Sequence, residues 1–222
     1  KKIFLFIVCV VLMSQTVLAQ TAKDEKRPSS FVDVQTLIPN AVYDIRYFGT
    51  DNFVGARVDG YEAPKCFLTK PAAKALVGVA ADLESLGLKP IIFDCHRPQR
   101  AVNHFSRWAA DINDAKTKSK YYPNVDKRNL FKEGYIAAKS GHTRGSVVDL
   151  TIDGLEMGTG FDFFGESTAT IYSKIPQQAR ANRLLLKALM EKHGFENYDK
   201  EWWHYKLKAE PYPKKYFNFE IK

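Results

Sequence analysis

The sequence predicts a single α+β domain, and three observations support this fold class. The chain has 222 residues, a length that one domain with a substantial core can account for. Hydrophobic residues make up 45% of the chain and charged residues 26%, as in ordinary globular proteins. The predicted helices and strands, described below, follow one another without the regular strand–helix alternation of a doubly wound parallel sheet.

Residues 1–19 have the pattern of a secretory signal peptide. A pair of lysines precedes a short apolar run, and the sequence VLA at 17–19 places small residues where signal peptidase cleaves. The polar tract at 14–16 interrupts the run, which favours a cleaved signal over an uncleaved membrane anchor. We therefore expect an exported protein, periplasmic or secreted, whose mature chain starts at Gln20 and is not attached to a membrane.

The net charge gives no sign of a polyanionic partner. Removal of residues 1–19 takes away two lysines and no acidic residue, so the charge of +8 becomes about +6, that is, 31 basic minus 25 acidic residues. Lys and Arg are scattered along the chain and form no long run, which is typical of a solvated surface. The sequence predicts no nucleic-acid partner, although anionic cell-wall polymers remain an alternative, and it specifies no oligomeric state.

The first half of the mature chain contains a leader, short strands and two helices. Residues 20–30 are polar and charged and predict a flexible leader before a folded domain of residues 31–222. Alternating apolar residues at 31–48 predict a strand or short extended pieces. Thr69 then offers an N-cap for a helix that ends at Gly87. A short apolar run predicts a core strand at 89–94, and helical spacing predicts a second helix at 98–112.

The second half contains an insertion, a buried strand, a long loop, a helix and a final strand. Residues 116–123 predict a surface insertion, and the apolar run at 145–152 predicts a buried strand. Residues 154–173 are rich in Gly, Thr and Phe without a period, which predicts a long loop forming one wall of a cleft. Helical spacing at 176–193 predicts a helix, and 202–207 predicts the last strand. The face assigned to that helix consists of Leu184, Leu185, Ala188, Leu189 and His193.

Two cysteines, Cys66 and Cys95, lie beyond the predicted signal peptide. In an oxidising compartment they can form a disulfide. A bond across this separation stabilises a protein by roughly 3–4 kcal/mol in the chain-entropy description. The alternative is a pair of buried thiols. A reactive thiolate is disfavoured because, apart from His96 next to Cys95, nothing else in the chain marks such a site.

Two short motifs contain the side chains that suit a metal centre. His142 precedes Asp149 by seven residues, and Gly145 between them offers a bend that brings both to one ion. Catalytic zinc takes three protein ligands and leaves one position open. Downstream, Glu201 and His204 supply a further ligand and a base. Either histidine alone would suit a structural role, but with both carboxylates they predict a zinc site in which Glu201, in the turn before the last strand, is the base.

Arg97 is the other side chain with a predicted role, and two interpretations stay open. It follows the predicted strand at 89–94, and Asp94 is close enough in sequence to orient it. A guanidinium at a cleft stabilises the oxyanion of a tetrahedral intermediate. Alternatively, Arg97 and Asp94 form a salt bridge with a structural role only.

The two motifs together resemble the zinc D-alanyl-D-alanine dipeptidases. Ser140-x-His142-x-x-Gly145-x-x-x-Asp149 and Glu201-Trp-Trp-His204 match this family in order. The family includes relatives of the vancomycin-resistance dipeptidase and lies within the wider group of D,D-carboxypeptidases. Further matching positions cover most of the mature chain: Tyr47, 51–53, 58–61, Arg97-Pro98, 101–103, 121–124, 161–163 and 210–213.

The resemblance implies the ligands and the catalytic groups. One zinc ion per chain is expected on His142, Asp149 and His204. Glu201 is expected to act as the catalytic base, and Arg97 is expected to stabilise the oxyanion. The expected fold is a compact α+β catalytic domain in residues 31–222, with a central antiparallel sheet flanked by helices and the zinc site in a cleft on the sheet.

The resemblance also implies a small D,D-dipeptide substrate, D-Ala-D-Ala, held at both ends. Tyr47 and Asp162 are expected to hold the substrate ammonium, and Ser140 its C-terminal carboxylate. Longer chains would leave buried polar groups unpaired and would be rejected. Two alternatives remain: a D,D-carboxypeptidase that trims longer wall peptides, and a zinc-stabilised wall-binding module without turnover. The presence of both a base and an oxyanion partner argues against the binding module.

Three features depart from the family pattern. His96 stands where relatives commonly have Tyr, which is expected to alter the rim of the site, and Gly141 replaces a residue that is often Ser. The third departure is the predicted export signal. Because depletion of D-Ala-D-Ala for antibiotic resistance requires a cytosolic enzyme, an exported relative is expected to salvage dipeptide released from the cell wall.

Overall fold

The computed structural model describes residues 25–222. The predicted signal peptide and the first residues of the leader, up to residue 24, lie outside the described residues. The helices are α1 (Lys70–Ser85), α2 (Gln99–Ala110), α3 (Lys118–Tyr121) and α4 (Gln177–Lys192). The strands are β1 (Phe31–Asp33), β2 (Val42–Tyr43), β3 (Phe67–Thr69), β4 (Pro90–Asp94), β5 (Val147–Ile152), β6 (Phe195–Asn197) and β7 (His204–Leu207).

A five-stranded sheet in the order β2-β4-β5-β7-β6 forms the centre of the domain. Strands β4, β5, β7 and β6 pair antiparallel, whereas β2 lies parallel to β4 at the edge. Strands β1 and β3 form a separate antiparallel pair. The α+β class is confirmed, and the central sheet is antiparallel as expected except at its edge strand.

The helices bury their apolar sides, but the face predicted for α4 is only partly correct, since Leu185 and Leu189 pack half-buried against the core and other residues lie deeper. Helix α1 begins next to Thr69, whose hydroxyl lies 2.7 Å from that of Ser146 and does not cap the helix. Helix α4 leaves Leu184 53% exposed. The residues that it buries instead are Ala179, Asn182, Arg183, Leu186 and Met190. The hydropathy pattern misplaced this face because a charged residue, Arg183, lies at its centre.

The predicted surface insertion at 116–123 contains helix α3 and buries Tyr121 and Tyr122, and strand β6, which was not predicted, follows α4. Other differences from the predicted elements are small. The last strand begins at His204 rather than 202, so Glu201 lies in the preceding turn as expected. The segment 154–173 is an extended loop with a single 3-10 turn at Glu166–Thr168. In the described part of the chain, no helix combines the length and apolar character needed to cross a membrane.

Part of the predicted leader contacts the domain. A carboxylate oxygen of Glu25 accepts a hydrogen bond from the backbone N–H of Asn218 at 2.6 Å, and the guanidinium of Arg27 lies 4.4 Å from the ring centre of Phe67. The part of the chain that packs on the domain therefore includes residues before 31, the position at which the sequence predicts the folded domain to begin.

A disulfide joins Cys66 to Cys95 and connects two parts of the fold. Cys66 immediately precedes β3, and Cys95 immediately follows β4 in the central sheet. The backbone N–H of His96 also donates to the carbonyl of Phe67 at 2.9 Å. The small β1-β3 pair is thus fixed to the end of the central sheet by a covalent bond and a hydrogen bond.

Candidate active site

Three neighbouring strands of the central sheet bring polar side chains into one row. Asp94 ends β4 and pairs with Asp149 in the middle of β5, after an irregularity in register between Ile92 and Asp94. Asp149 in turn pairs with His204, the first residue of β7. Directly opposed side chains on antiparallel strands lie on the same face of a sheet. The sheet itself therefore assembles two of the predicted ligands, Asp149 and His204, and a second acidic group, Asp94.

His142 reaches this row from a 3-10 turn, His142–Arg144, that precedes β5. The turn ends at Gly145, whose φ of 80° is left-handed. A Cβ at this glycine would lie 2.1 Å from the ring of Phe31, so both conformation and space require glycine. The bend predicted between His142 and Asp149 is confirmed.

The three predicted ligands form a group that can hold one metal ion, with all ligand atoms within 4.8 Å of one another. Nε2 of His142 lies 3.1 Å from Oδ2 of Asp149 and 3.3 Å from Nδ1 of His204. Nδ1 of His204 lies 3.1 Å from Oδ1 of Asp149. Tetrahedral zinc with bonds of about 2.0–2.1 Å separates its ligands by about 3.3 Å. The donor types and their spacing fit zinc.

A buried oxygen supports this fit. Oδ1 of Asp149 has no hydrogen-bond partner in the described part of the chain, although Nδ1 of His204 is close. The carboxylate of Asp149 is 2% exposed, and a buried unpaired carboxylate oxygen is energetically unfavourable. A cation between the two side chains would satisfy both atoms.

Nδ1 of His142 points away from the other ligands and into the fold. It lies 2.7 Å from the carbonyl oxygen of Cys95 and 3.4 Å from Oδ2 of Asp94. An N–H at Nδ1 that donates to this carbonyl leaves Nε2 free to bind a metal ion. Burial lowers the pKa of His142, which also favours the neutral ligand form.

Glu201 lies beside the ligand group, in the turn before β7. Its Oε2 is 3.5 Å from Nδ1 of His204. Burial raises the pKa of Glu201 to about 7, against the lowering effect of His204. The side-chain amide of Asn197 donates to the carbonyls of Glu201 and His204 at 3.0 and 3.1 Å, which holds the turn in place. A carboxyl group with a pKa near 7 is suited to accept and return a proton.

Arg97 forms the predicted salt bridge with Asp94, and it also lines the cleft, where the oxyanion interpretation places it. Its Nε donates to Oδ2 of Asp94 at 2.9 Å, so the salt bridge exists. Its Nη2 lies 3.5 Å from Oδ2 of Asp149 and 3.5 Å from the hydroxyl of Tyr47. Asp94 also accepts from the hydroxyl of Tyr61 at 2.6 Å. The salt bridge therefore holds the guanidinium at the cleft.

Tyr47 and Asp162 meet at one wall of the cleft, although they are far apart in sequence. The hydroxyl of Tyr47 donates to Oδ2 of Asp162 at 2.9 Å. Burial raises the pKa of Asp162 well above its usual range. Ser140 lines the same cleft, and its hydroxyl accepts a hydrogen bond from the backbone N–H of His142 at 3.2 Å.

All eight predicted metal, catalytic and substrate residues line a single cleft of about 230 Å³. Sequence reasoning missed some contributors to it. Trp203 and Tyr198 also line the cleft, and the ring of Tyr198 meets that of His204 edge-on, with 5.6 Å between their centres. Trp203 belongs to the second motif, but its orientation depends on the turn after Asn197.

His96 does not line the cleft, so the expectation that it alters the rim is wrong. Its ring stacks on Phe219 with 4.0 Å between centres and meets Phe31 edge-on. It is 1% exposed, and burial lowers its pKa to about 3. His96 is therefore a neutral member of an aromatic cluster behind the site.

The sequence profile of the D-Ala-D-Ala dipeptidase family, peptidase M15, matches residues 27–222. The chain belongs to this family. Three curated family relatives named D-alanyl-D-alanine dipeptidase agree over nearly their whole length. The chain is 40% identical to that of Enterococcus faecalis over 199 residues, which are 87% of this chain and 98% of the relative.

The other two relatives are similar to this chain to nearly the same extent. The D-alanyl-D-alanine dipeptidase of Enterococcus faecium is 39% identical over 198 residues, covering 86% of this chain and 98% of the relative. That of Streptomyces coelicolor is 40% identical over 197 residues, with the same coverage of 86% and 98%. The family resemblance inferred from the motifs is confirmed.

Proposed function

We propose that this protein hydrolyses D-alanyl-D-alanine to two molecules of D-alanine with the help of zinc. The observation that carries the proposal is that residues from six separate parts of the chain meet in one small cleft. Within it, a three-ligand metal group stands beside a carboxyl group whose pKa is near 7. Membership of the dipeptidase family supports the same activity.

His142, Asp149 and His204 would hold the zinc ion, and Glu201 would remain outside its ligand set. Zinc held there supplies Lewis-acid chemistry and lowers the pKa of a water molecule. Glu201 takes the proton of the attacking water and then delivers it to the amine that leaves. Arg97, fixed by Asp94, stabilises the negative charge that develops on the carbonyl oxygen.

The two ends of the cleft account for a dipeptide substrate. Asp162 and Tyr47 bind the ammonium group, and Ser140 binds the C-terminal carboxylate. In the absence of substrate, the Asp162 carboxyl group is buried, and burial disfavours its charged form. A substrate ammonium supplies the missing countercharge, whereas an acylated amine does not.

A product assay on D-Ala-D-Ala, with and without a chelator, tests the activity. We expect D-alanine to form, the chelator to stop its formation and added zinc to restore it. N-acetyl-D-Ala-D-Ala should be cleaved much more slowly, because it lacks the ammonium group. Comparable rates on both substrates would instead support a D,D-carboxypeptidase, and binding to wall peptides without cleavage would support a binding module.

We also propose that the protein is exported and salvages dipeptide released from the cell wall. The motivation is the signal-like pattern of residues 1–19. Cell fractionation followed by N-terminal sequencing should find the protein outside the cytoplasm, starting at Gln20. Growth on D-Ala-D-Ala as a nutrient should be lost when the gene is deleted, and unchanged growth would argue against salvage.

A further inference from the structure

Arg183 is a buried cation whose partners are all neutral. It is 0% exposed, and no carboxylate of residues 25–222 pairs with it. Its Nε donates to the carbonyl of Met157 at 2.7 Å, and its Nη1 donates to the carbonyls of Ser167 and Ala169 at 2.9 and 2.8 Å. Its Nη2 donates to the hydroxyl of Thr159 at 3.3 Å. Burial of a charge costs free energy, even when hydrogen bonds offset part of the cost. Stabilisation of helix α4 by itself would not require a charged side chain at this position.

The four acceptors of Arg183 flank Asp162 on both sides along the chain. Met157 and Thr159 precede Asp162, and Ser167 and Ala169 follow it. The guanidinium therefore closes the segment 157–169 into a loop, which we call the Asp162 loop. Its middle enters the cleft, whereas its two ends are joined by one side chain.

The backbone of Asp162 requires such support. Its φ is 59°, and among residues 25–222 it is the only non-glycine residue with a left-handed backbone. For an L-residue this conformation costs roughly 1–2 kcal/mol, and it persists only where surrounding contacts fix it. The bond from Tyr47 to Asp162 holds the side chain, but the backbone on both sides is held through Arg183.

The Asp162 loop also supports the turn that carries Glu201. The indole N–H of Trp202 donates to the hydroxyl of Thr159 at 2.9 Å, and the backbone N–H of Trp202 donates to the carbonyl of Thr168 at 3.0 Å. The hydroxyl of Thr168 donates to the carbonyl of Lys200 at 2.9 Å. Thr159 thus accepts bonds from both Arg183 and Trp202 and connects the two supports.

We propose that Arg183 is a positioning residue that sets the place of Asp162 and thereby the recognition of the substrate ammonium. The proposal deepens the proposed function and rests on it. Arg183 touches neither the metal ligands nor the cleft, and all four of its hydrogen-bond acceptors belong to the Asp162 loop. Its other contact is with the ring of Trp202, 5.8 Å from the guanidinium carbon. The effect should appear in substrate binding at the amino end rather than in metal retention.

The Arg183→Lys variant tests this, with the exposed Arg180→Lys on the same helix as the matched control. Lysine keeps the charge but cannot direct bonds to four acceptors. We expect the KM for D-Ala-D-Ala to rise roughly tenfold, the equivalent of one lost charge-assisted bond, with kcat within about threefold. Zinc content should stay at one per chain. A lower kcat at unchanged KM, or loss of zinc, would overturn the proposal.

A milder pair of variants covers the case in which Arg183→Lys does not fold. Thr159→Val keeps the shape of Thr159 but removes the hydroxyl, whereas Thr159→Ser keeps the hydroxyl. We expect Thr159→Val to raise KM and Thr159→Ser to behave like the wild type. Equal behaviour of the two would overturn the proposal.

Amide hydrogen exchange separates this proposal from the proposed function. In the full chain, Arg183→Lys should speed exchange at 157–169 and leave β5 unchanged. Faster exchange without a rise in KM would overturn the positioning role. If the wild-type protein does not cleave D-Ala-D-Ala, the proposed function is wrong, but hydrogen exchange still tests the role of Arg183. Unchanged exchange at 157–169 in Arg183→Lys would show that Arg183 does not anchor the Asp162 loop.

Discussion

The backbone carbonyl of Cys95 accepts the Nδ1–H of His142 across 2.7 Å, and Cys95 is itself tied to Cys66. A proposed zinc ligand is therefore oriented by the main chain of a disulfide-bonded residue. Groups that hold the outer nitrogen of a ligating histidine fix its ring and its tautomer. The disulfide thus supports the metal centre as well as the fold.

Loss of this disulfide should weaken zinc binding. In the double variant Cys66→Ala/Cys95→Ala the carbonyl of residue 95 remains but is no longer fixed by the disulfide. We expect zinc affinity, measured by competition with a chelator, to fall by about 10–100-fold, the range typical when an outer partner of a ligand is disturbed. The double substitution should also lower the free energy of unfolding by roughly 3–4 kcal/mol. Chelator competition and denaturant titration measure the two effects separately. Unchanged zinc affinity in a less stable protein would show that Cys95 orients His142 without help from the disulfide.

Removal of the proposed base should stop turnover but not metal binding. Glu201→Gln keeps the size of the side chain and removes its capacity to accept a proton. We expect kcat for D-Ala-D-Ala to fall by about 10²–10⁴-fold, with one zinc retained per chain by metal analysis. Glu196→Gln, which removes a surface ion pair with Lys206, is the matched control. Normal turnover by Glu201→Gln would assign the base elsewhere.

Neutralisation of Asp162 should reduce the preference for a free amino terminus. In Asp162→Asn the hydroxyl of Tyr47 still has an oxygen acceptor, but the countercharge for the ammonium is gone. We expect kcat/KM for D-Ala-D-Ala to fall by roughly 10²-fold, the effect of about 2–3 kcal/mol for a charged contact, while the slow rate on the N-acetyl dipeptide stays the same. Asp153→Asn, at a surface pair with Lys89, is the control. An equal loss on both substrates would contradict this role.

Replacement of Gly145 should damage the site through sterics as well as backbone strain. Gly145 and Gly87 have φ values of 80° and 71°, but a Cβ on Gly145 would meet Phe31 at 2.1 Å, whereas one on Gly87 meets nothing within 4 Å. Gly87→Ala should therefore cost about 1–2 kcal/mol from conformation alone. Gly145→Ala should cost more, and it should also lower zinc affinity because His142 precedes the bend. Denaturant unfolding and chelator competition measure both effects, and equal losses for the two variants would rule out the Phe31 contact.

The site was more predictable from sequence than the supports around it. Zinc chemistry restricts ligands to a few residue types, so His142, Asp149 and His204 could be selected by type and order. Arg183 could not, because a charged residue on a helix normally faces solvent, and its acceptors are backbone carbonyls that any sequence provides. The role of Cys95 was hidden for the same reason, since the oxygen that contacts His142 belongs to the main chain.

Position in the sheet explains the remaining differences. His96 lies two residues beyond Asp94, the last residue of β4, and its ring packs against Phe31 and Phe219 behind the site. The parallel edge strand β2 is two residues long, too short for a pattern of alternation to give its direction. Contacts between distant parts of the chain determine both the position of the His96 side chain and the direction of β2. A single sequence does not show which distant residues are in contact.

The pairing of Asp149 with His204 across β5 and β7 links catalysis to folding quality. A slip of one residue between these strands would turn Asp149 to the opposite face of the sheet and separate it from His204. Such a molecule could keep most of its secondary structure, yet its hydrolytic centre would be dismantled rather than weakened. Activity and bound zinc per protein molecule should therefore fall together in a heterogeneous preparation, which behaves as a mixture of fully competent and inactive molecules.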